Sequence, residues 1–247
     1  MKINKVLVSQ PQPTTDKSPY ADISKKFDVN FNFHPFIQVE GVSSIEFRQT
    51  RIQIQEHQAV IMTSKASIDH FFRICELLRY SVPDEMKYYC TTESVAVYLQ
   101  KYIVYRKRKI FYADGSMPNL IEILKKSKKD KILLPLSHVH KTDIIELLDQ
   151  SGYNYTPAIL YRTVSSNLAG LNLADYDMIV FFSPAGITSL QENFPNFVQK
   201  DTKIACFGPA TAQAVLDAGL RLDLQAPNPK APSMTMALEQ YIAEHNS

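Results

Sequence analysis

The sequence predicts an α/β protein with parallel sheets, arranged as two lobes joined by a two-stranded β ribbon, and three observations carry that prediction. Strand-like apolar runs alternate with helix-like periodic runs along nearly all of the 247 residues, the pattern of parallel strands linked by crossover helices. A strand-helix-strand-helix unit at residues 59–99 is echoed at 178–216, so two similar domains are expected rather than one. Two extended, aromatic segments, 31–40 and 153–163, interrupt the rhythm; each has a central Pro and no helical period.

The elements follow in order. Residues 5–9, 59–63, 88–90, 110–112, 131–134, 178–182 and 204–207 are short apolar runs bounded by polar or turn residues, and read as strands. Segments 68–79 and 142–148 carry the apolar spacing of helices. In the first copy of the repeat Val60-Ile61-Met62-Thr63-Ser64 runs into Lys65-Ala66-Ser67, and in the second Ile179-Val180-Phe181-Phe182-Ser183 runs into Pro184-Ala185-Gly186. Further on, 86–99 aligns with 203–216, which sets Thr91 against Gly208 and Ser94 against Thr211. The prolines of the two extended segments disfavour central strands, so these segments are expected to pair with each other near 33–40 and 156–163. The chain would then begin one lobe (1–36), cross to build an inserted lobe (37–163), and return to complete the first (164–247).

Composition narrows the function classes. A hydrophobic content of 45% with 21% charged residues is that of a folded globular chain. The net charge of +2 calls for neither nucleic acid nor an anionic membrane as partner. Two lysine-rich stretches, 101–109 and 125–131, are read as solvated strand edges or helix ends. Cys75, Cys90 and Cys206 have no C-x-x-C spacing and suit buried thiols in a reducing compartment. With no signal-type leader and no apolar run near 18 residues, a cytoplasmic location is expected.

The chemistry is expected at the carboxyl ends of the strands, where helix N-termini present unpaired N–H groups to anions. Ser183-Pro184 reads as N-cap plus first helical residue, and Gly208-Pro209 likewise, with Thr211 in the first turn. Each helix start favours an anion by about 0.3–1 kcal/mol, and each hydrogen bond to a charged group adds about 1.5–3 kcal/mol. Helix starts in both lobes would surround one cleft and hold a polycarboxylate or a phosphate. His138 and His140 lack a third ligand at metal-site spacing, so no metal is expected. Neither a phosphate loop nor G-x-G-x-x-G is present, and no Ser-His-Asp set or G-x-S-x-G elbow appears. Tyr161, late in the second extended segment, is expected near the cleft mouth.

Val6-Leu7-Val8-Ser9, Leu160-Tyr161-Arg162-Thr163, the Ser183-Pro184-Ala185-Gly186 turn and Gly208-Pro209-Ala210-Thr211-Ala212, in that order across the chain, resemble the uroporphyrinogen-III synthase family. The resemblance implies two flavodoxin-like lobes and a cofactor-free enzyme, a lyase that closes the linear tetrapyrrole hydroxymethylbilane with inversion of its last ring. It implies Tyr161 and Thr211 as catalytic residues. Substrate would be held by Ser9, Ser64, Lys65, Ser94, Ser183, Pro184, Ala185, Gly208 and Pro209, with Ser94 taking Thr211's place in the inserted lobe. A monomer that meets the preceding pathway enzyme transiently is also implied. Gln10 and Leu136 stand where many members carry Arg, and Thr91 stands where a glycine is usual; Lys65, Arg162 or the run near Arg106 would have to replace the missing cations. The alternative is a catalytically silent, two-lobed binding module for a small polyanion.

Overall fold

The computed structural model describes residues 2–14, 18–140 and 142–246. The chain divides into two compact units, one discontinuous (1–38 with 164–247) and one inserted (39–163).

The discontinuous unit is built on β1 (Lys5–Val8), β2 (Asn30–Phe33), β9 (Met178–Phe181), β10 (Lys203–Phe207) and β11 (Leu224–Ala226), in the order β11-β10-β9-β1-β2. All its pairings are parallel. Counted within the unit the order is 2-1-3-4-5, the flavodoxin arrangement. Helices α1 (Pro19–Phe27), α7 (Pro184–Asn193), α8 (Pro209–Asp217) and α9 (Met234–Asn246) cover the two faces. Because side chains alternate across a strand, Val6 and Val8 enter one core with Ile23 and Leu238, while Leu7 enters the other with Phe36 and Leu190. Burial on both faces explains why residues 6–8 of β1 and all of β9 read as unbroken apolar runs.

The inserted unit contains β4 (Ala59–Met62), β5 (Lys87–Cys90), β6 (Ile110–Tyr112), β7 (Ile132–Ser137) and β8 (Tyr155–Ser165), with β3 (Ile37–Gly41) at one edge, in the order β3-β8-β7-β4-β5-β6. Its helices are α2 (Ser44–Gln49), α3 (Lys65–Leu77), α4 (Glu93–Tyr98), α5 (Met117–Leu124) and α6 (Asp143–Gln150). Val60 and Met62 face a core shared with Phe71 and Ile74 of α3, and Ile61 faces Leu120 and Leu148 on the other side. Tyr89 is fully buried in that second core, its hydroxyl 2.8 Å from Ser127 Oγ.

The two extended segments turn out to have more than one role. Asn30–Phe33 is not ribbon but β2, a parallel partner of β1; the Pro35 region ends it before β3 begins. β3 and β8 are hydrogen-bonded neighbours, yet β8 also pairs in parallel with β7 from Tyr155 to Tyr161. β8 is therefore an interior strand despite Pro157. The proline is tolerated because it lies exposed near the start of β8, before the stretch where Val42 bonds the Leu160 carbonyl.

The three thiols are buried and free. Burial pushes Cys75 and Cys90 up to about 12 and Cys206 up to about 11, so all three stay protonated. Among the described residues no helix is long and apolar enough to cross a membrane. The second lysine stretch is tied to its own surroundings: Lys131 pairs with Glu56 at 2.5 Å, and Lys128 donates to the Ser151 and Gly152 carbonyls.

His57 links this unit's entry to β8. It is 4% exposed, its Nδ1 lies 2.9 Å from the Gln53 carbonyl and its Nε2 2.9 Å from Thr156 Oγ1. A carbonyl only accepts, so Nδ1 carries the proton and Nε2 accepts from Thr156. Burial holds the pKa below the ordinary histidine value, with the Gln53 bond opposing. The unfolded chain, titrating near the reference value of about 6.5, therefore takes up the proton first, and stability falls as pH drops below that value until folded His57 itself titrates. Urea midpoints measured between pH 7 and 5 should decline in the wild type and decline less in His57→Gln. Parallel declines would remove His57 from the pH dependence.

Candidate active site

In the discontinuous unit the strand order reverses between β1 and β9, and the carboxyl side of such a switch point is where doubly wound folds bind ligands. Ser9 follows β1, is buried, and donates its N–H to the Val180 carbonyl at 3.0 Å. Ser183 caps α7, its hydroxyl accepting from Gly186 N–H at 3.4 Å; Pro184 starts the helix and Ala185 follows it. A Cβ on Gly186 would stand 3.9 Å from both the Ser9 and the Ser183 Oγ, so the two hydroxyls flank that glycine. Gly208 caps α8 at φ +87°, a conformation open chiefly to glycine. Pro209 begins the helix, and Thr211 in its first turn is only 2% exposed.

In the inserted unit the reversal lies between β4 and β7. Ser64 caps α3 reciprocally with Ser67: each backbone N–H is met by the other's hydroxyl, at 3.0 and 3.1 Å. The Ser64 hydroxyl also lies 3.4 Å from the Tyr161 hydroxyl. That exceeds the usual O–H···O range of about 2.5–3.0 Å, so the contact is loose and leaves the phenol available to another partner. The ring of Tyr161 stacks on His70 of α3, centroids 4.8 Å apart and planes inclined by 15°. His70 Nδ1 accepts from Arg73 Nε at 3.2 Å.

Tyr161 reaches α3 through an irregularity in its strand. Leu136 of β7 is level with Ile159, but Ser137 is level with Tyr161, so one residue of β8 is extra. In a regular strand Leu160 and Tyr161 would point to opposite faces; here both pack against the core beneath α3. Bulges re-aim side chains in this way, often beside active sites.

The repeat also has to be re-aligned. Met62 is level with Cys90 and Phe181 with Cys206, and each of these first residues stands two positions before its cap serine. Thr92, which caps α4, is therefore the counterpart of Gly208, and Val95 that of Thr211. Ser94 does not take Thr211's place; it is exposed and 3.0 Å from Thr92 Oγ1. Nor does Thr91 stand at the glycine position. It is buried, its hydroxyl donating to the Thr63 carbonyl at 3.2 Å.

Of the three replacement cations, Arg162 is paired with Glu46 at 3.0 Å and Arg106 with Asp84 at 2.9 Å. Lys65 is exposed and makes no ion pair among the described residues; its Nζ lies 5.3 Å from the centre of the Tyr98 ring. It is thus the cation of this group best placed to meet a carboxylate without breaking an existing pair. No pattern in the sequence marks His70 or Arg73, which adjoin Tyr161 only through the fold.

The family model for uroporphyrinogen-III synthase HemD matches residues 19–236. Among solved structures, the uroporphyrinogen-III synthetase of Helicobacter pylori 26695 is similar with a TM-score of 0.57 and 15% identity, over 98% of this chain and 100% of that one. A mutant uroporphyrinogen III synthase from the extreme thermophile Thermus thermophilus is similar with a TM-score of 0.52 and 16% identity, over 98% and 99%. No curated protein sequence matches. At such identities the solved structures speak for the fold alone, whereas the family match spans most of the residues. The chain belongs to the uroporphyrinogen-III synthase family.

Proposed function

We propose that this chain closes hydroxymethylbilane to uroporphyrinogen III, inverting the last pyrrole ring and releasing one water, without a cofactor. The observation that carries the reading is the Tyr161 hydroxyl, loosely held 3.4 Å from Ser64 at the carboxyl end of β4, in a chain of this family. The terminal C–O bond of the substrate breaks with the electron pair leaving on oxygen, and Tyr161 supplies the proton that turns the departing hydroxyl into water. The pyrrole nitrogen's lone pair stabilises the resulting azafulvene. The substituted carbon of the last ring attacks it to give a spiro intermediate, which opens and recloses with that ring inverted. The final ring proton returns to the tyrosinate, so the enzyme is regenerated.

A donor of this kind contributes about 10²–10⁴-fold in rate. The larger task is orientation, since unassisted closure joins the ends directly and gives the type I isomer. Each unit offers helix starts suited to substrate carboxylates: that of α3, with Ser64 and Lys65, in the inserted unit, and those of α7 and α8, with Ser9, Ser183, Gly208 and Pro209, in the discontinuous unit. Thr211 is assigned to hold the α8 turn in shape. Purified protein supplied with enzymatically generated hydroxymethylbilane should yield the type III isomer after oxidation and separation. Type I alone would leave a polyanion-binding module without catalysis.

A further inference from the structure

We infer that His70 and Arg73 are positioning residues that set the orientation of the Tyr161 phenol. The inference rests on the reading of Tyr161 as proton donor. Among the described residues the hydroxyl of Tyr161 has one hydrogen-bond partner, Ser64 at 3.4 Å, too distant to fix the ring. What fixes it is the face of His70, stacked at 4.8 Å and 15°.

His70 is itself held. It lies one helical turn before Arg73 on α3, a spacing that brings the side chains together. Arg73 Nε donates to His70 Nδ1 at 3.2 Å, which places the imidazole's own proton on Nε2 and keeps the ring neutral. Burial, and then the charge of Arg73, push the His70 pKa below its ordinary value, with Asp69 opposing. The other end of Arg73 grips the strand that carries Tyr161. Its Nη2 donates to the Val42 carbonyl at 2.6 Å and to the Leu160 carbonyl at 3.4 Å, and Val42 N–H donates to that same Leu160 carbonyl at 2.9 Å. One guanidinium thus anchors both the backbone immediately before Tyr161 and the ring stacked upon it. Gly41 makes room for this arrangement: a Cβ there would stand 2.3 Å from Arg73 Cζ and Nη2. Gly41→Ala therefore displaces the Arg73 guanidinium while leaving His70 and Tyr161 unsubstituted.

A mere clamp on β3 and β8 would affect stability alone, whereas a positioning role affects the phenol. The test combines two readouts on the full chain. In ring-labelled protein the Tyr161 resonances should shift in His70→Ala and in Gly41→Ala, and keep an aromatic ring-current shift in His70→Phe. In type III formation, His70→Ala and Gly41→Ala should lower kcat by about 10- to 100-fold, the loss that a small misplacement of a reacting group brings, with KM unchanged. His70→Phe, which restores a flat face, should recover most of the rate, and His70→Ala should add nothing in a Tyr161→Phe background. The inference is overturned if Tyr161 resonances stay put in both the alanine variants, if their kcat is unchanged, or if His70→Ala and Tyr161→Phe losses multiply. Should the wild type make no type III isomer, the proposed function fails while the resonances still decide whether His70 orients Tyr161. If His70→Ala does not fold, Gly41→Ala carries both readouts.

Discussion

Tyr161→Phe is expected to slow type III formation by about 10²–10⁴-fold, the usual contribution of a positioned general acid, with little change in unfolding midpoint. The substitution removes one oxygen and nothing else. The ring remains, and with it the stacking on His70 and the packing against the core under α3. The lost polar contact is the 3.4 Å one with Ser64, and Ser64 keeps its partner in Ser67 N–H. A typical hydrogen bond contributes about 0.5–1.5 kcal/mol, and a contact this long belongs at or below the bottom of that range. Rate and stability should consequently separate. Initial rates with isomer analysis, beside thermal unfolding, read both quantities, and residual product should shift toward type I as unassisted closure overtakes the variant. Unchanged turnover would take Tyr161 out of the mechanism and leave substrate orientation as the whole of the catalysis.

Strands such as β1, β4 and β9 were legible because both their faces are buried, so three or four consecutive apolar residues mark them without help from neighbours. Ser64 and Ser183 were legible for a local reason too, since capping is decided by residues within one turn. What escaped were features that depend on partners far along the chain. β2 carries Asn30 and Asn32 and sits at a sheet edge, so its four residues lack the apolar signature of a central strand. β8 hid behind Pro157, which matters only where a neighbour needs its N–H. The displaced alignment of Thr91 and Ser94 arose because caps, not composition, fix where a repeat begins; Thr92 and Gly208 are chemically unlike but occupy one position. His70 was hidden for the same reason, since its partner Tyr161 lies in another element and faces it only through a one-residue shift in β8.

The first crossing of the chain supplies the second large effect. Phe36→Ala is expected to destabilise the discontinuous unit by about 3–5 kcal/mol, the range for deleting a buried phenyl group. Phe36 is fully buried and meets the Phe181 ring edge to face, centroids 5.5 Å apart and planes at 83°. Pairs in this geometry add about 0.5–1.5 kcal/mol beyond area burial. Relaxation into the cavity is restricted because the Phe36 backbone is tethered, its carbonyl accepting from Ser166 N–H at 2.9 Å and from the Ser189 hydroxyl. Its core comprises residues of the discontinuous unit, including Leu7, Ile179, Leu190 and Ile204, and shares no member with the cores of the inserted unit. The loss should therefore be local. Hydrogen exchange in Phe36→Ala should show amides of β1 and β9 losing protection while those of β4 and β5 keep theirs. Equal loss in both sets would mean that the two units unfold as one cooperative body, and that separate cores do not make separate stabilities here.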